Sequence, residues 1–304
     1  MNVNTIAASG TQLTIRHRDH RATVTAVGAT LREYEVGGRP VIVPFAEDEL
    51  PPASHGAVLA PWPNRLGDGR YTWDGHELQV PVNEPARATA LHGLVSWHRW
   101  DVVEHAADAV TLELALPPSP GYPFALTLRV TYAVSDDGLR VSLTATNLGA
   151  QDAPYGVGFH PWLSPGDARV DDCTLRVDAR THVTTDDRLL PTGTEPVAGD
   201  RDLREPTPLV GIDLDDAWVD VTRDDAGLSW VRLAAPDGRT AAVWADASMD
   251  TWQVCTGDHV GRGARTGVAA EPMSCLADAF RTGDRLVRLA TGASHEVRWG
   301  LTLL

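Results

Sequence analysis

Tyr155-Gly156-Val157-Gly158-Phe159-His160-Pro161-Trp162 is the stretch whose reading decides the fold. Side chains alternate along a strand. Tyr155, Val157 and Phe159 therefore form one large apolar face suited to a core, and Gly156, Gly158 and His160 form the other. Glycine inside a strand weakens it and marks close approach by a ligand or another backbone. The second face reads as a cleared floor with one imidazole at its end. Pro161 stops the ladder because it has no N–H to give. Trp162 then offers a flat ring of the kind on which sugars stack. Taken alone, the histidine reads first as a buried structural residue at a strand end.

The same alternation runs through the rest of the chain. Strand-length runs occur at Leu13 to Arg16, Ala22 to Val27, Leu31 to Val36 and Pro40 to Pro44, with Gly37-Gly38 as a hairpin turn. Another strand follows at Gly69 to Trp73. Longer runs at Ala109 to Leu116, Phe124 to Val134 and Leu139 to Asn147 follow, the last two joined by Asp136-Asp137-Gly138. Further strands are expected at Cys173 to Val177, Ala217 to Val221, Ser229 to Ala234, Thr240 to Ala245, Trp252 to Thr256 and His295 to Leu303. Short helical turns fit only Glu47 to Leu50 and Pro272 to Ala279. The polar segment Thr184 to Pro208 reads as a long surface excursion. Many short strands with Gly/Pro turns and no fixed repeat predict an all-β sandwich or barrel formed by residues 1–304 as one domain.

Composition narrows the function. The 41 acidic and 26 basic residues give a net charge of -15, which disfavours nucleic-acid and anionic-membrane partners, since both need a basic face. Three cysteines, Cys173, Cys255 and Cys275, with no C-x-x-C pair, fit a reducing compartment without a disulfide framework or structural zinc. The N-terminus lacks a charged head followed by an apolar run, and no window approaches a membrane span, so the cytoplasm is the expected location.

Five places put polar groups where the pattern is apolar or rigid. Asn64-Arg65 lies in Ala60-Pro61-Trp62-Pro63-Asn64-Arg65-Leu66, where a guanidinium fork on a stiff loop suits either sugar oxygens or a salt bridge. His92 precedes Gly93 at a loop end; His98 and His105 read as surface residues, and the three fit no zinc spacing. Asp213, Asp215 and Asp216 form an acidic turn without the glycine and glutamate of a calcium loop. Gln253 sits inside the apolar run Trp252-Gln253-Val254-Cys255. Glu271 follows Val268-Ala269-Ala270, and a buried glutamate needs a partner or accepts a raised pKa, as catalytic bases do. No serine-hydrolase, P-loop or dinucleotide signature is present.

The order Asn64-Arg65, Leu91-His92-Gly93, Gly158-Phe159-His160-Pro161, Leu214-Asp215-Asp216-Ala217-Trp218, Gln253-Val254-Cys255-Thr256-Gly257, Ala270-Glu271-Pro272 resembles the aldose 1-epimerase (galactose mutarotase-like) family over nearly the whole chain. The resemblance implies a large antiparallel β-sandwich, a supersandwich with a cleft across one sheet. It implies interconversion of the α and β anomers of a free aldose, with His160 as general acid and Glu271 as general base on opposite sides of the sugar. Asn64, Arg65, His92, Asp215 and Gln253 match residues that hold the sugar, and Arg65 is placed to stabilise negative charge developing on oxygen. Asp216 stays open as an alternative to Asp215. The Gly-Phe-His-Pro-Trp context differs from the Asn-His-Ser/Thr of the best-known members and marks a divergent branch. Hexose 6-phosphate remains a second substrate class, with Arg65, Arg70, Arg87, Arg262 and Arg265 as possible phosphate partners. The expected partner is a small sugar; no cofactor or metal is called for, and an exposed sandwich edge allows a homodimer. The main competing reading is a sugar-binding or regulatory protein on the same fold, in which Trp62, Trp97, Trp162 and Trp252 would serve as stacking rings. A glycosidase would need a second carboxylate opposite Glu271, which the sequence does not nominate. A lyase or isomerase of sugar acids would need more Arg or Lys.

Overall fold

The computed structural model describes residues 7–304, apart from the side chain of Arg262. The first six residues, part of the stretch read for the absence of a leader, lie outside the described residues, as does the Arg262 side chain.

Two large antiparallel sheets face each other. One runs in the order Asp101–His105, Ala109–Leu116, Leu126–Ser135, Gly138–Asn147, Ser294–Leu303, Thr240–Ala245, Ser229–Ala234, Thr174–Val177, Thr207–Pro208. Its centre is the hairpin expected at Asp136-Asp137-Gly138, paired from Leu126↔Asn147 to Ser135↔Gly138. The strict alternation of these strands puts Leu128, Val130, Tyr132, Val141 and Leu143 into the core, each nearly or fully buried.

The second sheet carries the cleft. Its order is Pro191–Pro196, Ala179–Thr185, Asp215–Val221, Thr251–Cys255, Val268–Met273, Gly158–Phe159, Val58–Leu59, with Trp162–Leu163 also pairing Val268–Met273. Trp218 and Trp252 are cross-strand partners on its inner face, and the Trp252 indole donates to Ser229 Oγ of the opposite sheet at 2.9 Å. Phe159 meets Trp299 across the same interface, with ring centroids 4.9 Å apart. A smaller sheet, Gln12–His17, His20–Thr25, Leu31–Val36 and Arg39–Pro40, covers one end. The Tyr132 hydroxyl from the first large sheet donates to Ala29 O in that covering unit.

Several expectations change. The opening stretch is three short strands, Ala153–Tyr155, Gly158–Phe159 and Trp162–Leu163. The last two keep one register along Val268–Met273, Gly158↔Met273 and Trp162↔Ala269, and the ladder lapses between them where Pro161 has no N–H to give. The run at Pro40 to Pro44 keeps only Arg39–Pro40 as strand. Thr184 to Pro208 is no loose excursion: Ala179–Thr185 and Pro191–Pro196 form a hairpin at the edge of the cleft sheet. The α-helix is a single turn, Ala279–Thr282, after the segment read as helical, because Pro272-Met273 completes a strand.

Candidate active site

Strand register brings the polar residues together. Gln253 faces Glu271, Ala217 faces Gln253, and Asp215 faces Cys255. Directly opposed residues share a face of the sheet, so Asp215, Gln253, Cys255 and Glu271 all point away from the inner tryptophans. Asp216 points the other way, where His182 Nε2 at 2.9 Å and Arg201 at 3.1 Å hold it. Of the two aspartates, Asp215 therefore lies on the cleft side of the sheet.

Loops complete the site. Gly156 and Gly158 do not clear a floor for a ligand. A Cβ on Gly158 would come within 2.8 Å of Pro63, and one on Gly156 within 2.3 Å of Cys275 Sγ. The glycines let the Pro61-to-Asn64 loop lie against the sheet, tied by Gly156 N–H to Pro61 O at 2.7 Å. Arg65–Gly67 then pairs with Thr89–Leu91, which delivers His92 beside Asn64. Asn64 and His92 both adopt positive φ. Asn64 O accepts the His92 N–H at 2.9 Å, and His92 Nδ1 accepts the Asn64 N–H at 3.3 Å. That second bond fixes the tautomer, with the proton on Nε2. Burial, followed by the nearby Arg65 charge, pushes His92 down to about 3, so it acts as a neutral N–H donor.

Asn64, Arg65, His92, His160, Asp215 and Glu271 line one open cleft with Glu84, Cys255, His259 and Trp162. Gln253 lines a narrower recess sharing Asn64, Arg65 and Asp215 with the cleft, and its amide donates to Asp215 Oδ1 at 2.8 Å. At the base, His160 Nε2 and Glu271 Oε1 are 3.3 Å apart and both side chains are buried. Burial, reinforced by the Asp215 charge and opposed by Arg65, raises Glu271 well above the usual carboxylate range. Burial, reinforced by His92 and His55, lowers His160 well below the usual imidazole value. His160 Nδ1 and Glu271 Oε2 are buried without a protein hydrogen-bond partner.

His160 and Glu271 are thus direct neighbours, where the resemblance had implied two groups on opposite sides of a sugar. The stacking expectation also changes. Trp62 packs on Phe280 and Trp252 is in the core. Trp97 is exposed and does not line the cleft. Trp162 reaches the cleft, but its ring is stacked with the protein's own His160 (5.8 Å) and His55 (4.6 Å). Of the described arginines considered for phosphate, Arg65 alone lines the cleft. Arg87 is bound to Glu84, and Arg265 to Asp171 and Asp258.

Sequence reasoning missed Glu84, which accepts from Arg65 Nε at 2.9 Å and Nη2 at 3.2 Å. It also missed His55 beneath Trp162. A buried guanidinium demands a carboxylate, and Asn83-Glu84-Pro85 just before Arg65's partner strand was the available signal. Two further carboxylates, Asp215 and Glu84, line the cleft with Glu271, and both are tied to Arg65.

Fold and cleft define a large antiparallel β-sandwich protein with a buried imidazole–carboxylate pair at the floor of an open polar groove. Residues 11–302 match the model of the family described as aldose 1-epimerase, and the chain belongs to that family. Membership assigns it to the epimerase class of isomerases. It is 34% identical over 299 residues to the uncharacterized protein YihR of Escherichia coli K12, covering 98% of this chain and 94% of YihR. It is 31% identical to the galactose mutarotase of Rattus norvegicus over 165 residues, 51% of this chain and 46% of that protein. The GalM/aldose epimerase homologue from C. elegans has a TM-score of 0.84 at 21% identity, covering 97% of this chain and 98% of that one, a likeness of fold. No helix among the described residues is long and apolar enough to cross a membrane.

Proposed function

We propose that the protein is a mutarotase that exchanges the α and β anomers of a free aldose by opening and reclosing its ring. The observation that carries this reading is the buried 3.3 Å contact between His160 Nε2 and Glu271 Oε1 in the cleft. Ring opening moves protons at two oxygens, the C1 hydroxyl and the ring oxygen, both bonded to the same carbon. The groups that serve them must be neighbours, and a touching pair that a sugar spreads apart meets that condition.

Glu271 takes the C1 hydroxyl proton as C1–O1 becomes a carbonyl. The bond from C1 to the ring oxygen breaks, and that oxygen takes the proton of His160. The pair holds one proton before and after; only its owner changes. Burial favours the uncharged form, protonated Glu271 with neutral His160, which is the form that follows opening. Rotation about C1–C2 presents the other carbonyl face, and the protons return on closure. Each positioned group contributes about 10²–10⁴-fold. His92 Nε2–H, Arg65, Asp215 and the Gln253 amide supply hydroxyl partners that hold the ring in place.

The test is anomer exchange by NMR saturation transfer on a panel of aldoses across pH, at fixed low buffer. The expected profile is a bell set by the pair as a unit. Its acid limb lies well below the ordinary imidazole value of 6.5, where the lowered His160 takes a second proton. Its alkaline limb lies well above the ordinary carboxylate value of 4.5, where the raised Glu271 gives up the last one. A protein that binds sugars yet never exceeds buffer catalysis is a binding protein, and the reading then fails.

A further inference from the structure

We infer that Glu84 is a positioning residue for the reaction: its carboxylate holds the Arg65 guanidinium in one orientation and balances its charge, so that the full field of Arg65 does not reach the base. This rests on the reading of the cleft as an anomer-exchange site.

Arg65 is buried, and its fork is turned by two parallel bonds onto Glu84, from Nε and Nη2. Nη2 also reaches Asp215 at 3.5 Å. Such two-point pairs set orientation as well as energy. Glu84 is itself anchored. Thr89 Oγ1 donates to Oε2 at 2.5 Å and Arg87 Nη1 to Oε1 at 3.1 Å, while Glu84 N–H donates to Thr89 O at 3.0 Å. Thr89 starts the strand that pairs with Arg65–Gly67, in the register Arg65↔Leu91 and Gly67↔Thr89. Guanidinium and carboxylate are therefore fixed relative to each other through one two-stranded unit, while Asp215 fixes the fork from the cleft sheet.

The charge balance follows from what faces Glu271. Cys255 and the neutral Gln253 come from the adjacent strand, Asp215 from the strand beyond it, His160 from the Gly158-to-Leu163 segment on the other side, and Arg65 with His92 from the paired Arg65–Gly67 and Thr89–Leu91 unit. Of these, Arg65 is the cation, and it pulls Glu271 toward the ionised form while Asp215 pushes the other way. Removing the Glu84 charge leaves Arg65 less balanced, so the pair must hold its proton less tightly.

Carboxyl-¹³C glutamate labelling tests this, with the Glu271 signal assigned by its loss in Glu271→Gln. In Glu84→Gln the Glu271 midpoint is expected to fall by about half a pH unit or more, a fraction of what a directly contacting charge produces. Glu84→Asp, which keeps the charge, restores it toward wild type. The alkaline limb of kcat/KM moves down in Glu84→Gln with the midpoint, and kcat/KM falls about 10- to 100-fold as the fork loses its alignment. An unmoved Glu271 midpoint overturns the inference. So does a wild-type Arg65 Nε–H, read by ¹⁵N guanidinium NMR, that exchanges with water as fast as exposed arginines; this measurement needs no variant to fold. If the wild type exchanges no anomers but the Glu271 midpoint still falls, the mutarotase reading fails and the role of Glu84 as the balancing charge stands.

Discussion

Two contacts between a basic and an acidic side chain lie within one cleft, and they are built differently. Arg65 and Glu84 meet through two parallel bonds, with Thr89 and Arg87 filling further positions on the carboxylate. His160 and Glu271 meet through one contact of 3.3 Å, and each keeps a buried polar atom without a protein partner. Buried polar atoms are nearly always satisfied, so the second contact is incomplete as a piece of protein structure. The first holds a charge still. In the proposed reaction the second leaves a proton free to change owner and leaves atoms for a substrate to meet.

Breaking the second contact should change turnover most. Glu271→Gln and His160→Asn should each lower kcat by about 10²–10⁴-fold, with sugar affinity little altered. The double variant should be scarcely worse than the poorer single one, because the two groups serve one event. Anomer exchange kinetics check this, and near-wild-type rates in both single variants would remove the pair from the chemistry. Breaking the first contact should cost the fold as well. Arg65→Met leaves Glu84 without its main partner, and about 3 kcal/mol of stability should be lost, as for other half-broken buried pairs. Denaturant unfolding reads that loss, and KM should rise alongside it. The mildest change sharpens how the two are connected. Gly158→Ala puts a methyl group 2.8 Å from Pro63, and overpacking of this kind costs about 1–3 kcal/mol. Because Pro63 precedes Asn64-Arg65, KM should rise while the acid–base pair, and so the pH profile, stays in place. A shifted profile would show that the loop and the pair are not separable.

Legibility in the sequence followed the physics of each element. The central hairpin was plain because both strands alternate strictly and Asp136-Asp137-Gly138 supplies its turn. Pro191–Pro196 was hidden because an edge strand, five of its six residues exposed, has no buried face to impose alternation; backbone pairing to Ala179–Thr185 alone makes it a strand. His160, Glu271 and Gln253 stood out as polar interruptions of apolar runs. Glu84 did not, since it lies in an irregular segment where no period exists to be broken. The glycines were read correctly as sites of close approach but assigned the wrong visitor: Pro63 and Cys275 occupy the space. The adjacency of His160 and Glu271 was beyond reach, because it depends on which strand pairs with Gly158-to-Leu163 and in what register: Gly158↔Met273 and Trp162↔Ala269 set the two residues opposite each other.

The pairing of Gln253 with Glu271 has a consequence for how errors in folding are felt. Moving Val268–Met273 by one position along Thr251–Cys255 would exchange the two sides of the strand. Glu271 would enter the interior and Ala270 would take its place in the groove. Under the proposed mechanism such a molecule would have no base at all, and not a weakened one. Specific activity then counts correctly assembled copies, and a partly misfolded preparation should show fewer active molecules with unchanged kinetic constants.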